Sequence, residues 1–207
     1  QDNIGTNLMS YVQGFSPEVR DIFEQFEFAA QIDRLAKNSL LYQVTERFAR
    51  IDLHPNKIDN NQMGLAFEEL IRKFAEISNE TAGEHFTPRE VIRLMVNLLF
   101  VEDDDVLSKP GVVRSIYDPT AGTGGMLSIA GEYLFEHNPK AQLTMSGQEL
   151  NPESYAICKA DMLIKGEGEN ADHIVGGAEW STLAHDAFPG QEFDFMVANP
   201  PYGKSWK

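Results

Sequence analysis

The sequence predicts an α/β protein in which a helical amino-terminal domain precedes a doubly wound parallel sheet. Up to about Glu80, apolar residues recur every three to four positions, which is the spacing of one helix face. From Arg114 onward, short apolar runs alternate with stretches of helical length, which is typical of parallel strands joined by crossover helices. We therefore predict a helical domain over residues 1–80 and an α/β domain over residues 81–207. We expect that sheet to be incomplete after its fourth strand, which would otherwise be an exposed apolar edge.

The helical domain is predicted from apolar residues on three stretches of the chain. The first two stretches contain Phe15, Val19, Ile22, Phe23, Phe26 and Ala30, then Leu40, Leu41, Val44, Phe48 and Ile51. The polar segment at residues 53–57 includes a proline and predicts a loop. A further amphipathic helix follows, with an apolar side formed by Leu65, Phe67, Leu70, Ile71 and Phe74.

A polar loop at residues 78–83 leads into the second domain and its first helix. Thr87 and Glu90 have the spacing of a capping box, and Pro88 stands where the first helical residue is expected. We expect this helix to bury one apolar face, formed by Val91, Leu94, Met95, Leu98 and Leu99.

Four strands are predicted for the sheet, at about residues 112–117, 143–148, 173–175 and 193–197. Crossover helices are predicted at about residues 126–137 and 152–165. Because such crossovers are right-handed, the sheet should be doubly wound, with a ligand crevice at the carboxyl ends of its strands.

The composition restricts the classes of function. The chain has 32 acidic and 17 basic residues in 207, a net charge of −15, which argues against a protein that holds nucleic acid on its own basic surface. Its single cysteine, Cys158, excludes an intramolecular disulfide, fits a reducing compartment and is expected in the core. The histidines lack a metal-ligand spacing, so no metal site is predicted. No apolar run is long enough to span a membrane.

Two features at predicted strand ends indicate a small-molecule site. The segment at residues 118–125, Asp-Pro-Thr-Ala-Gly-Thr-Gly-Gly, joins the first strand to its helix, where small residues and helix N–H groups allow close approach of a ligand. Glu149 ends the second strand, where a carboxylate can accept hydrogen bonds from two ribose hydroxyls. A tight structural turn and an exposed glutamate are the alternatives, but together the two features favour binding of a nucleoside-containing ligand.

The most informative segment is Asn199, Pro200, Pro201 and Tyr202, which follows the fourth strand. Each proline lacks a backbone donor, so the carbonyls of this turn are free to accept hydrogen bonds. The Asn199 side-chain oxygen and the Pro200 carbonyl can converge on an amino group that has two hydrogens to donate. Tyr202 can stack on a planar base. This combination predicts chemistry on an aromatic or amide amino group.

These motifs resemble the methylase subunit of type I DNA restriction-modification systems, whose catalytic domain methylates N6 of adenine. Four segments carry the resemblance, at residues 84–89, 118–125, 147–152 and 199–203. The first and third are fairly specific to that family, whereas most N6-adenine methyltransferases share the other two. The resemblance implies a Rossmann-like methyltransferase fold that follows a helical domain, which in the family helps to engage the partner subunit and DNA.

The resemblance also implies S-adenosylmethionine as the cofactor. Its methionine end would lie under Glu84, His85, Phe86, Thr87, Pro88 and Arg89, with its carboxylate at the helix start beside Thr87. The methionine and ribose side would be held by Asp118, Gly122, Thr123, Gly124 and Gly125, and the ribose hydroxyls by Glu149. Relatives usually have Gly-Asn-Thr or Gly-Asp-Thr after the third strand. This chain has Gly177, Ala178 and Glu179, which leaves the contact to the cofactor's adenine open, with Glu179 as the candidate substitute.

In the mechanism that the resemblance implies, adenine flips out of the duplex and is held by the segment at residues 199–202. The partners implied are DNA, a DNA-specificity subunit, a restriction subunit and a second methylase subunit, in the cytoplasm of a prokaryote and without a membrane. The acidity then predicts weak DNA binding by this chain alone. Two alternatives stay open, namely an inactive cofactor-binding or scaffolding fragment and a methyltransferase for protein glutamine or RNA. A nicotinamide dehydrogenase is disfavoured because the turn lacks G-x-G-x-x-G spacing.

Overall fold

The computed structural model describes residues 3–78, 87–103 and 107–201. Its helices are α1 (Ile4–Val12), α2 (Pro17–Gln25), α3 (Phe28–Lys37), α4 (Leu41–Ala49), α5 (Asn60–Ser78), α6 (Arg89–Phe100), α7 (Gly125–His137), α8 (Pro152–Lys165) and α9 (Gly168–Ala171). Its strands are β1 (Val113–Asp118), β2 (Gln142–Glu149), β3 (Ile174–Gly176) and β4 (Phe195–Met196). A short 3₁₀ turn at Val101–Asp103 follows α6. Helices and strands therefore alternate from β1 to β3, as the sequence predicts, whereas residues 177–194 join β3 to β4 without a helix.

The four strands form one parallel sheet in the order β3-β2-β1-β4. From β1 the chain moves outward through β2 to β3 and then returns to the other side of β1 as β4. This reversal places a topological switch point between β1 and β4, where ligands bind in open α/β sheets. The carboxyl ends of β1 and β2 lie side by side, with Asp118 opposite Gly147. The doubly wound architecture is confirmed, although β4 is shorter than the predicted strand at residues 193–197.

The main core lies where α6, α7 and α8 pack on the sheet. Phe100 of α6, Ile116 of β1 and Leu127 of α7 are fully buried there. Cys158 of α8 belongs to the same core and is fully buried, as expected. This layer fixes the starts of α6 and α7 relative to the strand ends, which is what positions the site.

Helix α6 buries a different face from the predicted one. Its buried residues are Ile92, Val96 and Phe100, with Met95 and Leu99 partly buried against the same core. Val91, Leu94 and Leu98 are exposed instead. The expectation failed because α6 is apolar on more than one side, so the helical period alone does not identify the face that packs.

The amino-terminal stretches form several short helices, and only part of their predicted apolar face is buried. Ile22 of α2 and Leu41 of α4 are buried, together with Val12 and Ile32, which the sequence analysis did not select. Phe48, at 67% exposed, and Ile51 are on the surface. Helices α1 to α4 thus make a small bundle with few buried residues and a large apolar surface.

Helices α2 and α5 connect the amino-terminal region to α8. The Tyr155 hydroxyl on α8 donates a hydrogen bond to Asp21 on α2 at 2.8 Å. Gly64 on α5 lies so close to Lys165 that an added Cβ would stand 2.9 Å from the lysine Cε. The predicted domain boundary at residue 80 stays a prediction. Within the described ranges, no helix has the length and apolar character needed to cross a bilayer.

Candidate functional site

A cavity of about 260 Å³ lies at the switch point, between the ends of β1 and β4 and the start of α6. Three of the segments selected from the sequence contribute to its wall. The residues that they contribute are Thr87, Arg89, Asp118, Thr120, Ala121, Gly122, Thr123, Gly125, Asn199, Pro200 and Pro201. Leu65, Glu68 and Ile71 of α5 complete the opposite wall. The fold therefore brings three of the four predicted segments together and adds α5 to them.

The turn between β1 and α7 contains two glycines in the left-handed region, and they serve different purposes. Gly124 has φ +83°, and an added Cβ would lie 2.6 Å from the Cys158 Sγ atom. Gly124 is therefore required by packing against α8. Gly122 has φ +54°, but its side is open, since the nearest atom to an added Cβ is the Thr120 oxygen at 3.9 Å. Of the two, Gly122 is the one that leaves space for a ligand.

Glu149 is hydrogen-bonded to the glycine turn. Its Oε2 atom accepts from the Gly122 N–H at 2.7 Å, and its Oε1 atom accepts from the Asn151 N–H at 2.7 Å. Glu149 is not among the described residues that line the cavity, but Gly122 is. Because each carboxylate oxygen can accept a second hydrogen bond, Glu149 keeps the capacity to bind hydroxyl groups. Its role in binding ribose stays a prediction.

Asp118 ends β1 and is 1% exposed. Its Oδ1 atom accepts from the Thr120 N–H at 2.9 Å. Burial raises the pKa of Asp118 to about 7, and the nearby charge of Glu149 acts in the same direction, whereas the hydrogen bonds from Thr120 oppose it. The carboxyl group is thus easily neutralised near neutral pH. A cationic ligand group beside it would favour the ionised form.

Asn199 and Thr87 meet at the edge of the cavity. The Asn199 Nδ2 atom donates a hydrogen bond to the Thr87 Oγ1 atom at 2.9 Å. The predicted capping box is wrong, because α6 begins at Arg89 and Pro88 is its N-cap. The Pro88 carbonyl accepts from the N–H groups of Val91 and Ile92. The Thr87 hydroxyl lies before the helix and interacts with the turn after β4.

Arg89 lines the cavity, and two carboxylates hold its guanidinium group. It forms an ion pair with Glu132 of α7 at 2.6 Å and a second one with Glu68 of α5. Burial lowers the pKa of Arg89, but Glu132 and Glu68 more than compensate and raise it overall. The predicted contact of Arg89 with a cofactor stays a prediction.

The same Glu68 carboxylate also binds Lys165 of α8, with 2.6 Å between the Oε1 and Nζ atoms. Lys165 pairs in turn with Asp161 at 2.9 Å and donates to the Ser128 hydroxyl. Asp161 is 6% exposed, and its Oδ1 atom has no hydrogen-bond partner among the described residues. Burial raises the pKa of Asp161 against the opposing effect of Lys165. This ion-pair network of Glu68, Arg89, Glu132, Asp161 and Lys165 has three carboxylates and two cations, so it favours a cationic ligand in the cavity.

Sequence reasoning missed that network and one buried amide. Gln148 is fully buried, and its Nε2 atom donates to the carbonyls of Trp180 and His185, at 3.0 Å and 2.6 Å. Its Oε1 atom accepts from the Tyr117 hydroxyl at 3.2 Å. Gln148 thereby holds the segment between β3 and β4 against the strand ends. The sequence signal that could have identified Gln148 is that it is a polar residue beside Glu149 inside a predicted buried strand.

Several selected residues remain without structural support. Glu84, His85, Phe86 and Tyr202 lie outside the described residues. Glu179 is exposed, and its described contact is between its carbonyl oxygen and the His185 ring at 3.3 Å. Its suggested contact with a cofactor stays a prediction. Within the described part of the chain, no cluster of histidine, cysteine and carboxylate side chains could hold a metal ion.

Comparison with known proteins gives consistent results. The profile of a family described as "N-6 DNA Methylase" matches residues 58–207. The type I restriction enzyme MjaIX methylase subunit of Methanocaldococcus jannaschii is 28% identical over 204 residues, which are 98% of this chain and 33% of that protein. The type I restriction enzyme EcoEI methylase subunit of Escherichia coli is 28% identical over 210 residues, 98% of this chain and 40% of that protein. The chain thus spans about a third of the length of the curated relatives it matches.

Two solved structures are similar in fold. The methyltransferase subunit of a type I restriction-modification system from Streptococcus thermophilus has a TM-score of 0.63 and 31% identity, covering 82% of this chain and 34% of that one. A structure titled as a putative class I S-adenosylmethionine-dependent methyltransferase from Listeria monocytogenes has a TM-score of 0.57 and 14% identity. It covers 87% of this chain and 50% of the other, and at that identity it supports the fold alone.

Proposed function

The chain belongs to the N-6 DNA methylase family, and from that premise we propose that it is the cofactor-binding and catalytic part of a type I restriction-modification methylase subunit. The reaction proposed is transfer of a methyl group from S-adenosylmethionine to N6 of adenine in DNA. The observation that carries the proposal is the position of Asn199 and Pro200, in one cavity with the glycine turn and Thr87. An amino group held by Asn199 and Pro200 would then lie beside a cofactor held by the glycine turn and Thr87.

The segment after β4 supplies the acceptors for the target amino group. Asn199 offers a side-chain oxygen and Pro200 a carbonyl, and both residues line the cavity. Because adenine N6 is inaccessible inside a stacked duplex, the base must leave the stack to reach them. Two accepted hydrogen bonds would orient the amino nitrogen toward the methyl donor. Tyr202 would stack on the base, which is an assignment from its sequence position.

The cavity residues fit the proposed cofactor. S-adenosylmethionine supplies an electrophilic methyl group on a positively charged sulfur. Asp118 and the excess carboxylate of the ion-pair network favour a cationic ligand. Gly122 leaves open space at the turn, and Glu149 beside it can accept from ribose hydroxyls. Thr87 and the start of α6 would receive the cofactor carboxylate. The contribution of these residues to catalysis is alignment and exclusion of water.

The partners proposed follow from the relatives' names and from the charge of the chain. The relatives are methylase subunits of type I restriction enzymes. A net charge of −15 disfavours DNA binding by this chain alone. We therefore propose that DNA is held in a complex with a DNA-specificity subunit, a restriction subunit and a second methylase subunit. A cytoplasmic location stays a prediction.

Methyl transfer by the full-length subunit with its partner subunits tests the proposal. We expect transfer of labelled methyl from S-adenosylmethionine to N6 of adenine in unmethylated DNA. Asn199→Ala should reduce the rate by at least about a hundredfold, because one of two acceptors of the reacting group is lost. Cofactor affinity, measured by calorimetry, should change by less than about threefold. Normal methylation by the Asn199→Ala enzyme would contradict the assignment.

The same assay separates the alternatives. A scaffolding fragment would bind cofactor but leave DNA unmethylated in the complete complex. A methyltransferase for protein glutamine or RNA would label those substrates and not DNA. Matched reactions with each substrate class, analysed by mass spectrometry of the methylated product, identify which of the three applies.

A further inference from the structure

We propose that Gln148 is a positioning residue for the cofactor, because it holds the covering segment (residues 177–187) at the place where the adenosine half of S-adenosylmethionine would bind. The inference rests on the proposed function and adds a residue that acts through another part of the chain. Gln148 is fully buried on β2, directly before Glu149. The covering segment begins where β3 ends, at Gly176.

The order of the strands places the adenosine half beside the covering segment. Along the carboxyl edge of the sheet, Gly177 follows β3, Glu149 ends β2, the glycine turn follows β1 and Asn199 follows β4. With the reacting amino group at Asn199 and the ribose at Glu149, the adenine base of the cofactor continues past Glu149 toward the end of β3. The Gly177 N–H donates to the Glu149 carbonyl at 3.0 Å, so the covering segment starts directly beside that position.

The Gln148 amide is the central attachment of the covering segment. Its Nε2 atom donates to the carbonyls of Trp180 and His185, at 3.0 Å and 2.6 Å. Its Oε1 atom accepts from the Ala187 N–H at 3.3 Å. Because a carbonyl only accepts and an N–H group only donates, the amide has one possible orientation. One side chain thus satisfies three backbone groups of an irregular segment.

A second attachment joins the covering segment to the glycine turn. The Thr182 hydroxyl donates to the Pro119 carbonyl, and Pro119 stands between Asp118 and Thr120, which line the cavity. The covering segment is therefore fixed to the ends of both β2 and β1. Without the Gln148 amide, three backbone groups would lose their partners and pair with water, and the covering segment would move away from the strand ends. The expected consequence is weaker binding of the adenosine half, with methyl transfer unchanged once the cofactor is bound.

The test compares Gln148→Met with Asn138→Leu in the full-length protein. Asn138 is the matched control, because it is also a buried amide that donates to two carbonyls, those of Leu107 and Lys109. It follows α7 at the opposite edge of the sheet. Both substitutions should lower the urea midpoint of unfolding, since both leave carbonyls unpaired. Only Gln148→Met should weaken binding of S-adenosylmethionine, by about tenfold, while kcat of the complex at saturating cofactor stays within about twofold.

Two cofactor fragments locate the effect on the cofactor. Methylthioadenosine carries the adenosine half, and S-methylmethionine carries the sulfonium and the amino-acid end. Gln148→Met should lower the affinity for methylthioadenosine about tenfold and leave that for S-methylmethionine within about twofold, measured by competition with labelled S-adenosylmethionine. Equal losses for the two fragments, or the same losses in Asn138→Leu, would overturn the proposal, because Gln148 would then act on general stability.

The comparison of Thr182→Val with Thr182→Ser covers the case in which Gln148→Met does not fold. Thr182 is partly exposed, so loss of its hydroxyl removes an attachment without opening the core. Thr182→Val should lower the affinity for methylthioadenosine about threefold, and Thr182→Ser, which keeps the hydroxyl, should bind as the native protein does. Native affinity in Thr182→Val would then overturn the proposal. Absence of adenine methylation by the native complex would reject the proposed function itself, whereas normal methylation with unchanged fragment affinities in the variants rejects only this inference.

Discussion

The two walls of the cavity are built on different physical principles. The sheet wall consists of strand ends and tight turns, in which Asp118, Gly122 and Glu149 are joined to neighbouring backbone by short hydrogen bonds. The helix wall consists of α5 and the start of α6, which long side chains hold through the ion-pair network. Backbone geometry makes the sheet wall rigid, whereas the helix wall depends on charges that solvent and salt can weaken. We expect substitutions in the sheet wall to affect folding, and substitutions in the helix wall to affect closure around the ligand.

Gly124→Ala should be the most damaging change to the sheet wall. The added Cβ would lie 2.6 Å from Cys158 Sγ, and the backbone has φ +83°, where alanine is strained. Overpacking and strain together should cost about 3 kcal/mol of unfolding free energy, measured by urea denaturation of the full-length protein. Gly111→Ala is the matched control, because its φ is +73° and an added Cβ there has no neighbour within 4 Å. That control should cost about 1 kcal/mol, and equal losses at both positions would show that contact with α8 is unimportant.

The two walls also differ in how far the sequence predicts them. The sheet wall was predictable because strand ends in a parallel sheet meet at one edge, so Asp118, Glu149 and Asn199 had to converge. Asp161 and Lys165 have the i,i+4 spacing of one helix face, but the rest of the network was not predictable, because its other pairs join residues 21, 43 and 97 positions apart with no periodic pattern. Charged residues on amphipathic helices are usually solvated, and nothing in the local sequence distinguishes Glu68 from its neighbour Glu69. The buried face of α6 could not be identified from the sequence for a related reason. Apolar residues occur around most of that helix.

Asp118→Asn should separate stability from function within the sheet wall. Because burial raises the pKa of Asp118 from 3.8 to about 7, the folded state binds a proton more tightly than the unfolded state between these values. The native protein therefore loses stability as the pH rises from about 4 to 7, and the loss is complete above 7. Asp118→Asn removes this loss, so it should stabilise the protein by at most about 4 kcal/mol at pH 8 and by nothing near pH 4. Denaturation curves at the two pH values measure the difference.

The same substitution should weaken cofactor binding. The ionised Asp118 carboxylate favours a cationic ligand, so the affinity of the native protein for S-adenosylmethionine should rise as the pH increases from 6 to 8. Asp118→Asn should bind more weakly and lose that pH dependence, as calorimetry at several pH values would show. If the variant is stabilised at pH 8 but binds S-adenosylmethionine as tightly as the native protein does, Asp118 affects stability and has no role in binding the cofactor.

Glu68→Gln, compared with Glu46→Gln, gives the smallest expected effect and tests the helix wall directly. Glu68 bridges Arg89 and Lys165, but each cation keeps a second carboxylate, Glu132 or Asp161. Loss of the Glu68 charge therefore leaves two neutral pairs and not an isolated buried charge, so the cost should be only about 1 kcal/mol. Glu46 pairs with Arg50 on the surface of α4 and is not among the residues that line the cavity, so its loss should change nothing measurable.

The functional consequence of Glu68→Gln follows from the position of its partners. Arg89 is the first residue of α6 and stands two residues after Thr87, so a looser α5 should also loosen the wall beside Asn199. We expect cofactor affinity to fall about fivefold in Glu68→Gln, and high salt to reduce the native affinity toward that of the variant because screening weakens the same ion pairs. Glu46→Gln should match the native protein at every salt concentration. If Glu68→Gln and Glu46→Gln behave alike, α5 encloses the cavity through its apolar residues and the ion-pair network has no part in holding the wall.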